Sequence, residues 1–299
     1  MFYSVMGIFA AYALVFLVFE DYDRNRFSPF IEDSDWHLLF FSMVVMAGLG
    51  VLLFRYARRM DKRIEVERQQ QQTVLRRELT QNIAHELKTP VASIMGFSET
   101  ILDNPDLQPE MLRDFIQRTH DQAVRLSELL QNLSALNKME YAPTQFEMTR
   151  VNVSRLVAEI AGERRYALEK HNMLLHNCLP EKVLVLGNRA LLYSVFRNLI
   201  DNAVKYAGAG TTVEVSAERD GNLWRVTVSD NGKGVREHDL PRLFERFYTV
   251  DKGRSRSLGG TGLGLSIVKN AVAMHGGTVI ACNGAEGGLA VTLTLRRYK

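Results

Sequence analysis

The 299-residue chain carries a formal net charge of only +3, so bulk charge makes no case for nucleic-acid binding. Its hydrophobic content of 46% suffices for packed cores and for membrane segments, and its length allows two modest domains with appendages. Two cysteines, Cys178 and Cys282, stand far apart and outside any metal-ligand spacing. That excludes a disulfide framework or zinc site and leaves them as small buried hydrophobes in a reducing compartment.

Residues 1–19 are almost wholly apolar, residues 20–35 acidic and polar, and residues 36–54 apolar again. Each apolar run is about long enough to cross a bilayer core, and neither holds a central charge. The first lacks the basic start and small-residue cleavage site of a signal peptide. Both are read as transmembrane helices. Arg55, Arg58, Arg59, Lys62 and Arg63 crowd the exit of the second run, whereas the intervening loop carries mostly acids. Basic flanks stay inside, so the loop faces outward and everything after Phe54 lies in the cytoplasm. A loop of about sixteen residues is too short for a folded sensor domain. A stimulus must be read by this loop, within the membrane or by a partner.

Residues 55–77 are charged and glutamine-rich, with no Gly or Pro, and form helix readily. Ile64, Val66, Val74 and Leu75 give a thin coiled-coil seam, and a continuous helix into the next segment is expected. There Leu79, Ile83, Leu87, Val91 and Ile94 recur at helical spacing, a stripe to be buried against other helices. His85 projects from the opposite, wet face, with Glu86 beside it and Thr89 four residues on. A carboxylate next to an exposed imidazole holds the ring in one tautomer and raises its basicity, which suits a nucleophile. Pro90 loosens the helix just beyond.

Asp103, Asn104 and Pro105 make a turn, and Pro109 suits the first turn of a second helix. Its buried stripe is Leu112, Phe115, Thr119, Leu126, Leu129, Leu133 and Leu136. Two antiparallel helices cannot hide such broad apolar faces alone. Pairing two copies into a four-helix bundle does, so an obligate homodimer is expected.

From residue 151 the pattern becomes mixed α and β. Residues 153–169, 188–206 and 266–274 read as helices. Residues 173–178, 182–186, 213–218, 224–229, 278–282 and 290–295 read as extended pieces or strands. Between 230 and 264 lies a long glycine-bearing loop, broken by a short helix near 241–247, which has the character of a lid.

Three constellations in this half suit a nucleotide. Asn198 and Asn202 share a helix face, with Lys205 and Tyr206 one turn on. Amide oxygens are hard ligands suited to magnesium, and lysine holds phosphate. Asp230-Asn231-Gly232-Lys233-Gly234 follows a strand. Its carboxylate can accept from an exocyclic amine such as adenine N6, and its glycines allow close approach to a ring. Gly260, Thr261, Gly262, Leu263 and Gly264 run into a helix start, which offers backbone amides to an anion. This is neither a Walker loop, since no Gly-Lys-Ser/Thr follows, nor a dinucleotide fingerprint, since no strand precedes it.

His-Glu-Leu-Lys-Thr-Pro at residues 85–90 resembles, without a gap, the phosphoacceptor box of two-component sensor histidine kinases. Asn198 with Asn202, residues 230–234, Phe244 to Phe247, and residues 260–264 resemble in order the four boxes of that family's ATP-binding domain. The resemblance covers about residues 79–299. It implies a multidomain protein: a transmembrane hairpin over 1–54, a helical juxtamembrane linker over 55–78, a dimerisation and histidine phosphotransfer domain over 79–142, and a catalytic ATP-binding domain over 150–299. The second of these would be an α-helical hairpin forming a dimeric four-helix bundle, and the last a Bergerat-type α/β sandwich.

By the same resemblance, ATP sits under a lid that carries Phe247, with Mg2+ held through Asn202 and the glycines of residues 260–264 around the phosphates. Asp230 binds adenine beside Gly232 and Gly234, Tyr206 lies near the base, and Lys205 approaches phosphate. Arg254 or Arg256 supplies further lid charge. The γ-phosphoryl group moves to an imidazole nitrogen of His85, and Glu86 orients the ring or takes its proton. The phosphohistidine then serves an aspartate of a cognate response regulator. Thr89 helps position water for the reverse duty, dephosphorylation of that regulator. The expected location is the bacterial cytoplasmic membrane, with the catalytic domains in the cytoplasm and no nucleic-acid partner. One departure is Asn188, where the family places an acid; asparagine still caps the helix. The rival is a gyrase- or chaperone-like ATPase on the same fold. Such an enzyme needs an acid one turn before the magnesium asparagine, and Asn198 cannot act as a base.

Overall fold

A run of strong helix formers without glycine joins the second apolar segment to the histidine segment, and the chain makes one long helix of it, α1 (Asp33–Asp103). The computed structural model describes residues 33–251, 260–284 and 287–298, with side chains from Ser42 onward except residue 64 and residues 67–69 and 71–79. The first apolar run lies outside the described residues. The second falls in α1, and among the described residues no helix is long and apolar enough to cross a membrane. The chain divides between Glu78 and Leu79 into two compact units. In the first, the apolar residues of α1 are open: Val45, Leu49, Leu52 and Leu53 are all half exposed or more.

In the second unit, α1 passes through Pro90 without interruption. The turn after it leads to α2 (Pro109–Tyr141), with proline in its first turn. Phe97 and Phe115 pack at 5.9 Å between ring centroids and join the two helices. The expected α2 stripe divides. Leu129 and Leu136 are buried, together with Met139, because they join the core of the C-terminal module. Leu112, Phe115, Thr119, Leu126 and Leu133 are only half-buried within one chain.

The C-terminal module follows as β1 (Thr149–Asn152), α3 (Val153–Lys170), β2 (Leu174–Asn177), β3 (Leu184–Gly187), α4 (Arg189–Tyr206), β4 (Thr212–Asp220), β5 (Leu223–Asp230), α5 (Gly264–Met274), β6 (Val279–Asn283) and β7 (Leu289–Arg296). Both larger helices start on asparagine caps. The Asn152 side chain accepts from the Ser154 amide at 3.0 Å, and Asn188 accepts from the Leu191 amide at 3.1 Å. A five-stranded sheet runs in the order β2-β4-β5-β7-β6, with β2 parallel to β4 and the other pairs antiparallel. Alternation sends Val213, Val215, Val226, Val228, Val291 and Leu293 to one face. There they meet Phe196 and Ile200 of α4 and Ile267 and Val268 of α5. The other face is wet and carries threonine pairs, such as Thr227 and Thr292 at 3.0 Å.

Three features depart from expectation. β1 pairs antiparallel with β3, a small second sheet not expected from the sequence. The short helix near residues 241–247 is a single 3-10 turn at Leu240–Arg242. Cys178 and Cys282 are exposed, not buried. Both lie at sheet edges, Cys178 just after β2 and Cys282 on β6, where Cys282 shares the open face of the edge strand with Ile280.

Candidate active site

Helical spacing turns His85 outward, and its side chain is 65% exposed. Its Nδ1 lies 3.9 Å from Glu86 Oε1, and Glu86 is itself largely covered. From α2, Arg125 Nη2 comes within 3.8 Å of Glu86 Oε2. The Thr89 hydroxyl donates to the His85 carbonyl at 3.2 Å, one turn back along the same helix.

The helices and the sheet of the C-terminal module enclose a cleft of about 1150 Å³, roomy enough for a nucleotide. Asn198, Asn202, Lys205 and Tyr206 of α4 line it, as do Asp230, Gly234, Gly260, Thr261, Gly262 and Gly264. The Asn198 amide donates to the Ser194 carbonyl at 2.7 Å. Among the described residues the Asn202 amide makes no hydrogen bond, which leaves its oxygen available to a ligand. Asp201, also at the cleft wall, is engaged in ion pairs with Arg164 at 2.6 Å and Arg197 at 3.6 Å.

Asp230 Oδ1 accepts from the amides of Gly232 at 2.9 Å and Leu289 at 3.4 Å. Burial raises its carboxyl above the usual carboxylate range, against the lowering effect of those two bonds. Among the described residues its second oxygen accepts no hydrogen bond and is open to a donor in the cleft.

Gly232, Phe247 and Leu263 do not line the cleft; they hold its walls. Phe247 has φ 62 and donates its amide to the Gly262 carbonyl at 2.8 Å. A left-handed phenylalanine is strained backbone, the kind that clusters at functional sites. Gly262, at φ 67, must be glycine, because a Cβ there would sit 2.7 Å from the Phe247 backbone. Gly264 likewise lets the α5 start meet Asn198, whose Oδ1 would lie 2.7 Å from an added Cβ. Leu263 is fully buried, and its amide donates to the Thr261 hydroxyl at 3.3 Å.

Matches to known families decide the identity. Residues 75–142 match the His Kinase A (phospho-acceptor) domain, and residues 187–299 match the histidine kinase-, DNA gyrase B- and HSP90-like ATPase family. The chain belongs to the sensor histidine kinases of two-component systems. The sensor-like histidine kinase SenX3 of Mycolicibacterium smegmatis is 34% identical over 223 residues, 75% of this chain and 58% of the relative. The chain thus spans less than two thirds of the curated relatives it matches. In solved structures the fold recurs in the Acinetobacter baumannii histidine kinase AdeS, with TM-score 0.59 and 23% identity over 72% of this chain and 98% of that one. It recurs also in the histidine kinase ThkA, solved in complex with the response regulator protein TrrA, with TM-score 0.59 and 22% identity over 74% of this chain and 61% of that one.

Some residues of this histidine kinase's cleft carry no local sequence signal. Glu128, Gln131 and Asn132 of α2 form part of its wall, brought there by the packing of Leu129 and Leu136. Arg246 pairs with Glu140 at 3.0 Å across the same contact. Tyr248 also lines the cleft, and its position beside Phe247 was the available clue. Its hydroxyl donates to the buried Asp239 at 2.5 Å, and Arg242 stacks over its ring at 4.3 Å. The Tyr248 bond, aided by Arg236, holds the Asp239 carboxyl below its usual range. The expected lid arginines, Arg254 and Arg256, lie outside the described residues.

Proposed function

We propose that the protein binds ATP in the cleft, transfers the γ-phosphoryl group to His85, and passes it to an aspartate of a response regulator. The observation that carries this reading is a water-facing imidazole with a carboxylate beside it, in one compact unit with a cleft lined by Asn202, Asp230 and the glycine loop. Glu86 stands on the Nδ1 side of the ring, so it orients His85 with Nε2 as the nucleophile. The Nε2 lone pair forms the new N–P bond while the bond from Pγ to the β,γ-bridging oxygen breaks, and ADP leaves with those electrons. The Nδ1 proton is shared with Glu86 or taken by it. Among the described residues no three His, Cys, Asp or Glu side chains cluster to hold a metal. That donor chemistry fits magnesium carried by phosphates and water with one amide oxygen, from Asn202. When bound, the ion would neutralise charge on the transferring phosphoryl group.

Four further readings complete the proposal. Thr89 positions water when the regulator is dephosphorylated. Exposed Val91, Met95, Ile116 and Val124 support a homodimeric bundle. The open apolar face of residues 44–54, followed by Arg55, Arg58 and Arg59, supports anchoring in a membrane with the catalytic module in the cytoplasm. The gyrase-like reading is disfavoured, because the Asn198 amide bonds to Ser194 and cannot activate water.

Incubation with γ-labelled ATP and magnesium tests the reading. Acid-labile, alkali-stable label that disappears in His85→Gln is expected. Phosphate release without labelled protein would favour the ATPase, and nucleotide binding with neither would leave only a scaffold.

A further inference from the structure

Arg125 lies outside every motif, and three distances make it a junction. Its Nη2 stands 3.8 Å from Glu86 Oε2, and Glu86 Oε1 stands 3.9 Å from His85 Nδ1. The same Nη2 donates to the carbonyl of Gly260, the first glycine of the described nucleotide loop, at 3.5 Å. The Arg125 side chain is only 13% exposed, so its charge is screened far less than that of a surface arginine. A chain of His85, Glu86, Arg125 and Gly260 therefore links the phosphoacceptor ring to the loop expected to hold phosphate.

We propose that Arg125 is a positioning residue for phosphoryl transfer, acting on His85 through Glu86. The inference rests on His85 being the acceptor. A carboxylate with two oxygens serves two partners: the guanidinium fixes Oε2, and Oε1 is left toward Nδ1 of the ring. An arginine suits this post because it is always charged and its fork is rigid. It keeps Glu86 aimed, and so holds the ring in the tautomer that leaves Nε2 free to attack. The Gly260 contact makes the alignment depend on the docked catalytic module. When the module swings away, Arg125 loses one of its anchors and Glu86 its fixed orientation. The docked arrangement thus carries the aligned acceptor ring, and loss of Arg125 uncouples the two.

The test compares initial rates of His85 labelling in the full chain for wild type, Arg125→Gln, Arg125→Lys, Glu86→Gln and the double variant, at varied ATP. Arg125→Gln is expected to lower kcat about tenfold with little change in KM for ATP, and Arg125→Lys to restore part of that loss. In the Glu86→Gln background, Arg125→Gln is expected to add little, because both act on one ring. Binding of a fluorescent ATP analogue, unchanged between the variants, shows that the module is folded. Should Arg125→Gln prove unfolded, the lysine variant and its combination with Glu86→Gln still measure the coupling. Multiplicative effects of the two substitutions, or a change confined to KM, would overturn the proposal. Failure of the wild type to label His85 would instead sink the reading on which it rests.

Discussion

In the C-terminal module Phe196, Ile200 and Leu293 are wholly buried, while on the helical hairpin Val91, Ile116 and Val124 keep 41–54% of their surface exposed. The sheet and helices of the module supply each other's apolar partners. On the hairpin, Phe97 packs on Phe115, and Leu129, Leu136 and Met139 are buried where they lean on the module. The chemistry divides in the same way. In the cleft, Asn198 and Asp230 are held by short hydrogen bonds. His85 stands in water with one carboxylate 3.9 Å away. One region is complete within a single chain. The other leaves an apolar surface open, which the proposed second copy would cover.

The sharpest way to break this contrast is in the cleft. Asn202→Ala is expected to weaken metal and nucleotide together and to lower His85 labelling at least about a hundredfold. Titration with an ATP analogue, with and without magnesium, checks it; undiminished labelling would refute the assignment.

On the open side, Ile116→Asp places a charge on the exposed hairpin face and is expected to cost the assembly about 3–5 kcal/mol. Light scattering should then report a monomer, with nucleotide binding retained because the module's own core is untouched. A variant that remains dimeric would place the interface elsewhere.

A smaller effect lies at the join of α4 and α5. The His275 ring is buried; its Nε2 accepts from the Asn188 amide at 2.9 Å and its Nδ1 donates to the Ala271 carbonyl at 2.6 Å. Burial lowers its pKa below the usual 6.5. A depressed folded pKa means that the unfolded chain takes up the proton first. The contribution is therefore whole above about pH 6.5 and is lost below it, at up to about 1.4 kcal/mol per pH unit. Thermal unfolding between pH 7.5 and 5.5 should fall more steeply for the wild type than for His275→Gln; equal slopes would contradict a neutral buried ring.

The smallest expected change is in autophosphorylation by Thr89→Ala, within about twofold of wild type, because among the described residues the hydroxyl's one hydrogen bond goes to the His85 carbonyl. The same substitution should slow decay of label on a regulator, and equal decay would remove that role.

Much of this was legible along the chain, because the signals are local. The Asn188 cap, the i,i+4 pair Asn198 and Asn202, and the alternation of Val226 and Val228 each follow from neighbours in sequence. What escaped depends on distant partners. Pairing of β1 with β3, the exposure of Cys282 on an edge strand and the α2 wall of the cleft are set by what packs alongside. The left-handed Phe247 escaped as well, since that strain is imposed by the Gly262 contact and not by the residue itself.

The most direct measurement is site mapping of the phosphorylated chain. After incubation with ATP and magnesium, fragmentation mass spectrometry at neutral to alkaline pH should find one phosphoryl group on His85 Nε2, absent when Asn202 is replaced by alanine. Phosphate on any other residue, or an unmodified chain that still consumes ATP, would contradict a cleft that delivers to this ring.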